Sequence, residues 1–288
     1  MMSNRRSIIW VLGLAVALLS CQGETSKKQT STPSALLSAG AQRATDGMSQ
    51  RSVTGETAKV VRMYEIPAPL RDRPEQILRR KGYTSSYNRL TKNPNWVAWH
   101  LTRDHTRGAY LREQEVFTED EDVRLPRATD QDYYSSRYDR GHMCPAGDNK
   151  WSSEAMTQSF LFTNICPQNH GLNKYEWNDL EILCRDWARK YGAIDIVCGP
   201  LYDGQGTQKT IGKNKVWVPD AFFKVILCRK GTPKTIGFVY RNEGRKQSME
   251  KAVRTVDEIE RLTAIDFFPT LEDGVEQKVE AEARLSDW

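Results

Sequence analysis

Residues 138–191 read YDRGHMCPAGDNKWSSEAMTQSFLFTNICPQNHGLNKYEWNDLEILCRDWARKY, and the fold turns on how they are parsed. Two short apolar runs, at 140–145 and 159–166, can pair as antiparallel strands. Between them Ser152 or Ser153 can cap a short helix that runs through Gln158. From Leu172 to Tyr191 the period becomes helical. Trp177, Leu180, Cys184, Trp187 and Tyr191 fall on one face, and Gly192 is a natural stop. The unit is therefore strand, strand, helix. It also gathers polar residues that no packing pattern requires: Asp139, Arg140 and His142 at its start, Asn164 after an apolar run, then Asn173, Glu181 and Arg185.

The flanks read mostly as strands. Tyr83, Ser85 and Tyr87 alternate, Lys92-Asn93-Pro94-Asn95 forms a turn, and a second strand runs from Trp96 to Leu101. Residues 102–137 are largely polar and serve as a long connection to the site. Downstream, 193–197 is a strand, 203–215 a loop, and 215–218 and 221–228 are strands interrupted at Pro219-Asp220. Another strand spans 235–240. Thr255 and Glu258 fit a capping box opening a helix through Leu262, ended by Phe267-Phe268-Pro269. Strands outnumber helices and several are joined by short turns. This predicts an α+β fold, a mostly antiparallel sheet flanked by helices.

Composition sets the outer bounds. The 288 residues are 39% hydrophobic and 27% charged with eight tryptophans, a globular profile. Arg5 and Arg6 precede an apolar run at 8–19 that is too short to span a membrane. Leu18-Leu19-Ser20-Cys21 resembles a bacterial lipoprotein signal. Residues 1–20 are thus expected to be a signal peptide and Cys21 a lipid-bearing membrane anchor in a bacterial cell envelope. Residues 21–63, rich in Ser, Thr, Gln, Gly and Lys, read as a disordered tether, leaving 64–288 as the folded domain. Without Arg5 and Arg6, 40 basic residues face 37 acidic ones, so bulk charge argues neither for nor against nucleic acid. Five further cysteines, an odd number in an exported chain, predict at most two disulfides and one free thiol.

Within the central unit, Arg140 and His142 are two residues apart on a strand and project from one face. A neutral imidazole is the usual group for taking a proton from water, and an adjacent cation disfavours its charged form. Asn173 can be a helix cap or an oxygen ligand to Mg²⁺, and spacing alone favours the cap. Glu181 lies roughly 12 Å along and about 80° around a continuous helix from Asn173, which suits it to orient a metal-bound water. Arg185 can pair with Glu181 or reach a phosphate. Cys144, Cys166, Cys184 and His170 could instead surround zinc, although their spacing lacks the usual short cysteine pairs.

Asp139-Arg140-Gly141-His142, the run Asn164-Ile165-Cys166-Pro167-Gln168, and Asn173-x-x-x-Trp177-x-x-Leu180-Glu181 together resemble the DNA/RNA non-specific endonucleases, which carry a ββα-metal finger. The likeness extends from about Gly82 to about Phe268 and includes 93–98, Val218-Pro219-Asp220, 223–225 and 257–260. It implies His142 as general base, Asn173 as the protein ligand of one Mg²⁺ (Mn²⁺ as a substitute), and Glu181 holding a metal-bound water. Arg140 and Arg185 would stabilise phosphate charge, and Asn164 would help position the site. The expected activity is hydrolysis of DNA and RNA to 5′-phosphate products. The competing expectation is an inactive envelope module that binds nucleic acid in the same groove. A further family arginine has its nearest match in Arg112, ahead of Phe117, but the spacing departs from the pattern and Arg112 is left outside the set.

Overall fold

The computed structural model describes residues 62–204 and 206–288. The expected signal peptide, Cys21 anchor and nearly all of the tether lie outside that range. In chain order, β1 (Gln76–Arg79), β2 (Thr84–Asn88) and β3 (Asn93–Thr102) precede α1 (Asp130–Tyr133) and β4 (Asp139–His142). Then come α2 (Ser153–Ser159), β5 (Ile165–Gln168), α3 (His170–Lys174), α4 (Glu176–Tyr191) and β6 (Ala193–Leu201). The chain finishes with β7 (Thr210–Ile211), β8 (Val216–Trp217), β9 (Ala221–Cys228), β10 (Lys234–Arg241), α5 (Met249–Ala252), β11 (Val253–Arg254), α6 (Val256–Thr263) and α7 (Asp273–Glu280).

A seven-stranded sheet in the order β1-β2-β3-β6-β9-β10-β11 forms the centre, and every pairing in it is antiparallel. Helices cover both faces, so the inner strands are apolar on both sides. In β9, AFFKVILC, all eight residues are buried. Its even positions, Phe222 and Ile226 among them, join Trp99, Leu101 and Ile196 beneath the apolar stripe of α4. The odd positions Phe223, Val225 and Leu227 pack with Val256 and Ile259 of α6 on the other face. That alternation is the period of a strand.

The α+β reading and the antiparallel sheet are borne out. Boundaries moved where tertiary contacts outweigh local signals. The β2–β3 turn falls at 89–92, with Lys92 in the left-handed region at φ 59°, and Asn93-Pro94-Asn95 begins the strand. The second finger strand starts at Ile165, pairing Asp139 with Gln168 and His142 with Ile165. Strand β1 and helix α7 were not foreseen.

The expected single helix from 172 to 191 breaks at Tyr175, where φ is −115° and ψ −87°. Two anchors with different axes cause this. The α3 turn is pinned from outside: Asn169 N–H donates to Asn242 Oδ1 at 2.7 Å, and Gly171 lies so near Gly244 that a Cβ would meet its Cα at 2.9 Å. By contrast α4 is held by its buried Trp177, Leu180, Cys184 and Trp187 against the sheet.

The disulfide expectation is corrected: Cys144, Cys166, Cys184, Cys198 and Cys228 are all free and buried. They belong to the core under α4, where thiols pack as small hydrophobes.

Candidate active site

The ββα unit frames an open cleft of about 500 Å³, lined by Arg140, His142, Asn173, Glu181 and Arg185 together with Leu111, Arg112, Asp139, Lys150, His170 and Lys174. Five of the six residues to which the family resemblance gives a role therefore meet in one place. The sixth, Asn164, is fully buried and does not line it. Its Oδ1 accepts from Cys144 N–H at 2.9 Å, while Nδ2 donates to the carbonyls of Cys144 (2.9 Å) and Ser159 (2.7 Å). Asn164 thus clamps the turn after β4 from beneath the cleft.

His142 is 8% exposed. Its ring packs edge-on against Phe160 at 4.8 Å and tilted against Phe117 at 5.4 Å. Trp177 Nε1–H donates to the His142 carbonyl at 3.2 Å and ties the β4 backbone to α4. Nε2 has no hydrogen-bond partner. Burial, and then the Arg112 guanidinium, push the imidazole pKa down to about 3. The ring is uncharged at neutral pH, and the main cause is desolvation rather than the neighbouring Arg140 expected from sequence.

Arg140 shares the cleft-facing side with His142, but its Nε donates to Asp130 at 2.6 Å. Its guanidinium also lies 5.7 Å and 5.5 Å from the ring centres of Phe117 and Tyr133. Arg185 pairs with Asp148 at 3.0 Å rather than with Glu181, and Asp148 also accepts from Trp99 Nε1–H at 3.0 Å. Arg112, left outside the set, enters the cleft exposed, and among the described residues it makes no ion pair. Sequence reasoning missed it because it arrives on an irregular connection where no period fixes position; Phe117, five residues on and against His142, was the available signal.

Asn173 is not the cap. Asn169 caps α3, its side chain accepting from Gly171 N–H. The Asn173 Nδ2 donates to Asp139 Oδ2 at 2.9 Å, and His170 Nδ1 lies 2.9 Å from the same oxygen. With its nitrogen engaged, the Asn173 amide keeps its oxygen for another partner. Asp139 and Glu181 add carboxylates, so the donor set is hard oxygen, the kind Mg²⁺ prefers. The zinc alternative does not assemble: its cysteines are buried in the core, whereas His170 is exposed at the cleft.

Burial raises the Glu181 pKa to about 7 against the opposing pull of Lys224 and Arg185. Lys224 is the lone charge of β9 and is fully buried, with Nζ lacking any hydrogen bond. It lies 4.4 Å from the Trp177 ring centre and 5.1 Å from that of Trp99. Burial opposes its charge, but Cys198, Cys184, Glu181 and Asp148 outweigh burial and raise its pKa. The floor of the site thus holds a buried amine whose charged form Glu181 and Asp148 favour.

The sequence profile of the DNA/RNA non-specific endonucleases matches residues 64–274. The chain belongs to this family. The mitochondrial nuclease EXOG of Xenopus laevis is 37% identical over 206 residues, covering 66% of this chain and 58% of that protein. The mitochondrial nuclease of Saccharomyces cerevisiae is 33% identical over 226 residues, 71% of this chain and 68% of its own length. A crystal structure of an EndoG/EndoGI complex, described as showing the mechanism of EndoG inhibition, superposes with a TM-score of 0.67 at 27% identity. It covers 73% of this chain and 90% of that one. Among DNA/RNA non-specific endonucleases this chain therefore shares the ββα-metal architecture, and it spans less than two thirds of the frog relative's length. The envelope expectation is corrected by these relatives. They are named as mitochondrial nucleases and give no support to a bacterial envelope location, a lipoprotein signal or a lipid anchor.

Proposed function

We propose that this chain is a divalent-metal-dependent endonuclease that hydrolyses phosphodiester bonds of DNA and RNA and leaves 5′-phosphates. The observation that carries the reading is an uncharged His142 lining a cleft shared with Asn173, Glu181 and Arg112. Binding alone has no need of a base. His142 takes the proton of the attacking water, and the Phe117 and Phe160 rings hold the imidazole in place. Asn173, its amide nitrogen held by Asp139, would hold Mg²⁺, or Mn²⁺ in its stead, through its oxygen, and Glu181 would accept from a metal-bound water. When bound, the cation supplies charge stabilisation at the departing 3′ oxygen. Arg112, which has no competing ion pair among the described residues, reaches the phosphate most readily; Arg140 and Arg185, tethered to acids, present fixed positive potential. These groups address phosphate rather than base edges, so sequence preference is weak. Residues 64–288 form the endonuclease domain on this reading.

Plasmid DNA and a structureless RNA incubated with the full chain should both be cut with Mg²⁺ and remain intact with EDTA. Cutting that persists in EDTA, or salt-sensitive DNA retention without any cutting, contradicts the proposal.

Glu181 gives a pH signature. A carboxyl with pKa about 7 must lose its proton to accept from a water, so kcat/KM falls as pH drops below about 7. A cation in the cleft favours the ionised carboxylate, so raising Mg²⁺ should move that acid limb to lower pH. Profiles at two Mg²⁺ concentrations test this, and superimposable limbs count against Glu181 as the titrating group.

A further inference from the structure

Away from the cleft, α6 and α7 bring a second group of carboxylates together. Asp257, Glu260 and Glu280 each offer an oxygen within 4.8 Å of the other two. Asp257 and Glu260 are three residues apart on α6 and share a face; Glu280 is the last residue of α7. The Glu260 carboxylate is oriented, its Oε1 accepting from Phe267 N–H at 2.8 Å. Glu280 is only 4% exposed and offers a carboxylate oxygen to the other two, and its Oε1 is enclosed without a hydrogen-bond partner among the described residues. Glu276, one turn earlier on α7, has an enclosed Oε1 that is equally unpartnered. Among the described residues no lysine or arginine forms an ion pair with any of these four, although Arg261 lines the same hollow as Asp257 and Glu260.

A buried carboxylate without a donor, surrounded by other carboxylates, needs either a proton or a cation. We infer that Asp257, Glu260 and Glu280 form a second divalent-cation site, separate from the cleft and suited to calcium. Calcium takes oxygen ligands at about 2.4 Å in a flexible shell, so ligands of one ion lie no more than about 4.8 Å apart, a limit these three oxygens meet. Magnesium keeps several waters and demands a near-octahedral shell, so three protein carboxylates suit it less. Asp257 and Glu260 are partly exposed, so water can complete the coordination. The occupied site would fasten α7 to α6, and through α6 to the buried face of the sheet.

Calcium titration calorimetry and calcium-dependent melting of the full chain test the site. Glu280→Gln keeps the side-chain shape and removes the charge. It should bind one calcium equivalent fewer per chain than wild type while still cutting DNA with Mg²⁺. At calcium a hundredfold above Kd, its Tm should rise by at least about 5 °C less than that of wild type. Asp257→Asn, on the exposed side, should lose the same equivalent and serves if Glu280→Gln folds poorly. Equal calcium stoichiometry in wild type and both variants overturns the proposal. So does a wild type that binds no calcium here and a Glu280→Gln that melts higher in calcium-free buffer, since the carboxylates then hold protons instead.

Discussion

His142→Ala should lower kcat by about 10²–10⁴-fold, the usual contribution of a positioned general base, while leaving Mg²⁺ affinity in place. Nothing in the geometry ties the ring to Asn173, so metal binding and proton removal should separate cleanly. The alanine leaves a gap between Phe117 and Phe160 of the shape of an imidazole, and added imidazole should restore part of the rate. Single-turnover cleavage with and without imidazole measures both effects; undiminished cleavage by the variant would sink the mechanism. Stability carries a second signature. The pKa of His142 is about 3 in the fold against about 6.5 in an unfolded chain. The unfolded state therefore binds the proton first as pH falls. The contribution is intact above about 6.5 and is lost at up to about 1.4 kcal/mol per pH unit on the way to 3. In His142→Ala that component of acid lability should disappear.

Arg185→Met should cost about 3–5 kcal/mol of stability at neutral pH, the typical cost of stranding one partner of a buried ion pair. Asp148 is 3% exposed and keeps only Trp99 Nε1–H among its remaining strong donors. Burial already raises its pKa, and Arg185 is the main group opposing that rise. Without the guanidinium the carboxyl should hold its proton further into the neutral range. A carboxyl whose folded pKa is raised loses stability as pH rises, so the variant's deficit should shrink in mild acid. Asp148→Asn in the same chain should recover a large part of it. Chemical denaturation of the two variants at two pH values decides the matter. A deficit independent of pH and unaltered by Asp148→Asn would show that Arg185 stabilises the fold otherwise than through Asp148.

The sequence made the ββα unit legible because local signals and tertiary demands agree there. Arg140 and His142 share a face by strand period, Ser152 caps α2, and the stripe of α4 fits its buried face. What escaped depends on distant contacts. The break at Tyr175 comes from Asn242 and Gly244 gripping α3, some seventy residues downstream. Without it Asn173 and Glu181 appear to ride one axis. Arg185 looked like a partner for Glu181 because the two are four residues apart, yet Asp148 arrives from 37 residues away to claim it. The unpaired state of five cysteines could not be read from their number, which reports nothing of their separation. Lys224 did leave a mark, a single charge within an otherwise apolar strand, but its meaning required knowing that Trp99 and Trp177 enclose it.

That enclosure divides the electrostatics of the cleft in two. Arg112 and Lys174 stand in solvent, where mobile ions shield charge beyond about 8 Å at physiological ionic strength, and a polyanion held by them is released as salt displaces its counterions. Lys224 lies beneath two indoles where no mobile ion reaches. Its pull on Glu181 is therefore screened far less by salt than that of the exposed cations. Capture of the strand is exposed to the ionic environment, and the charge state of the machinery that cuts it is sheltered from it.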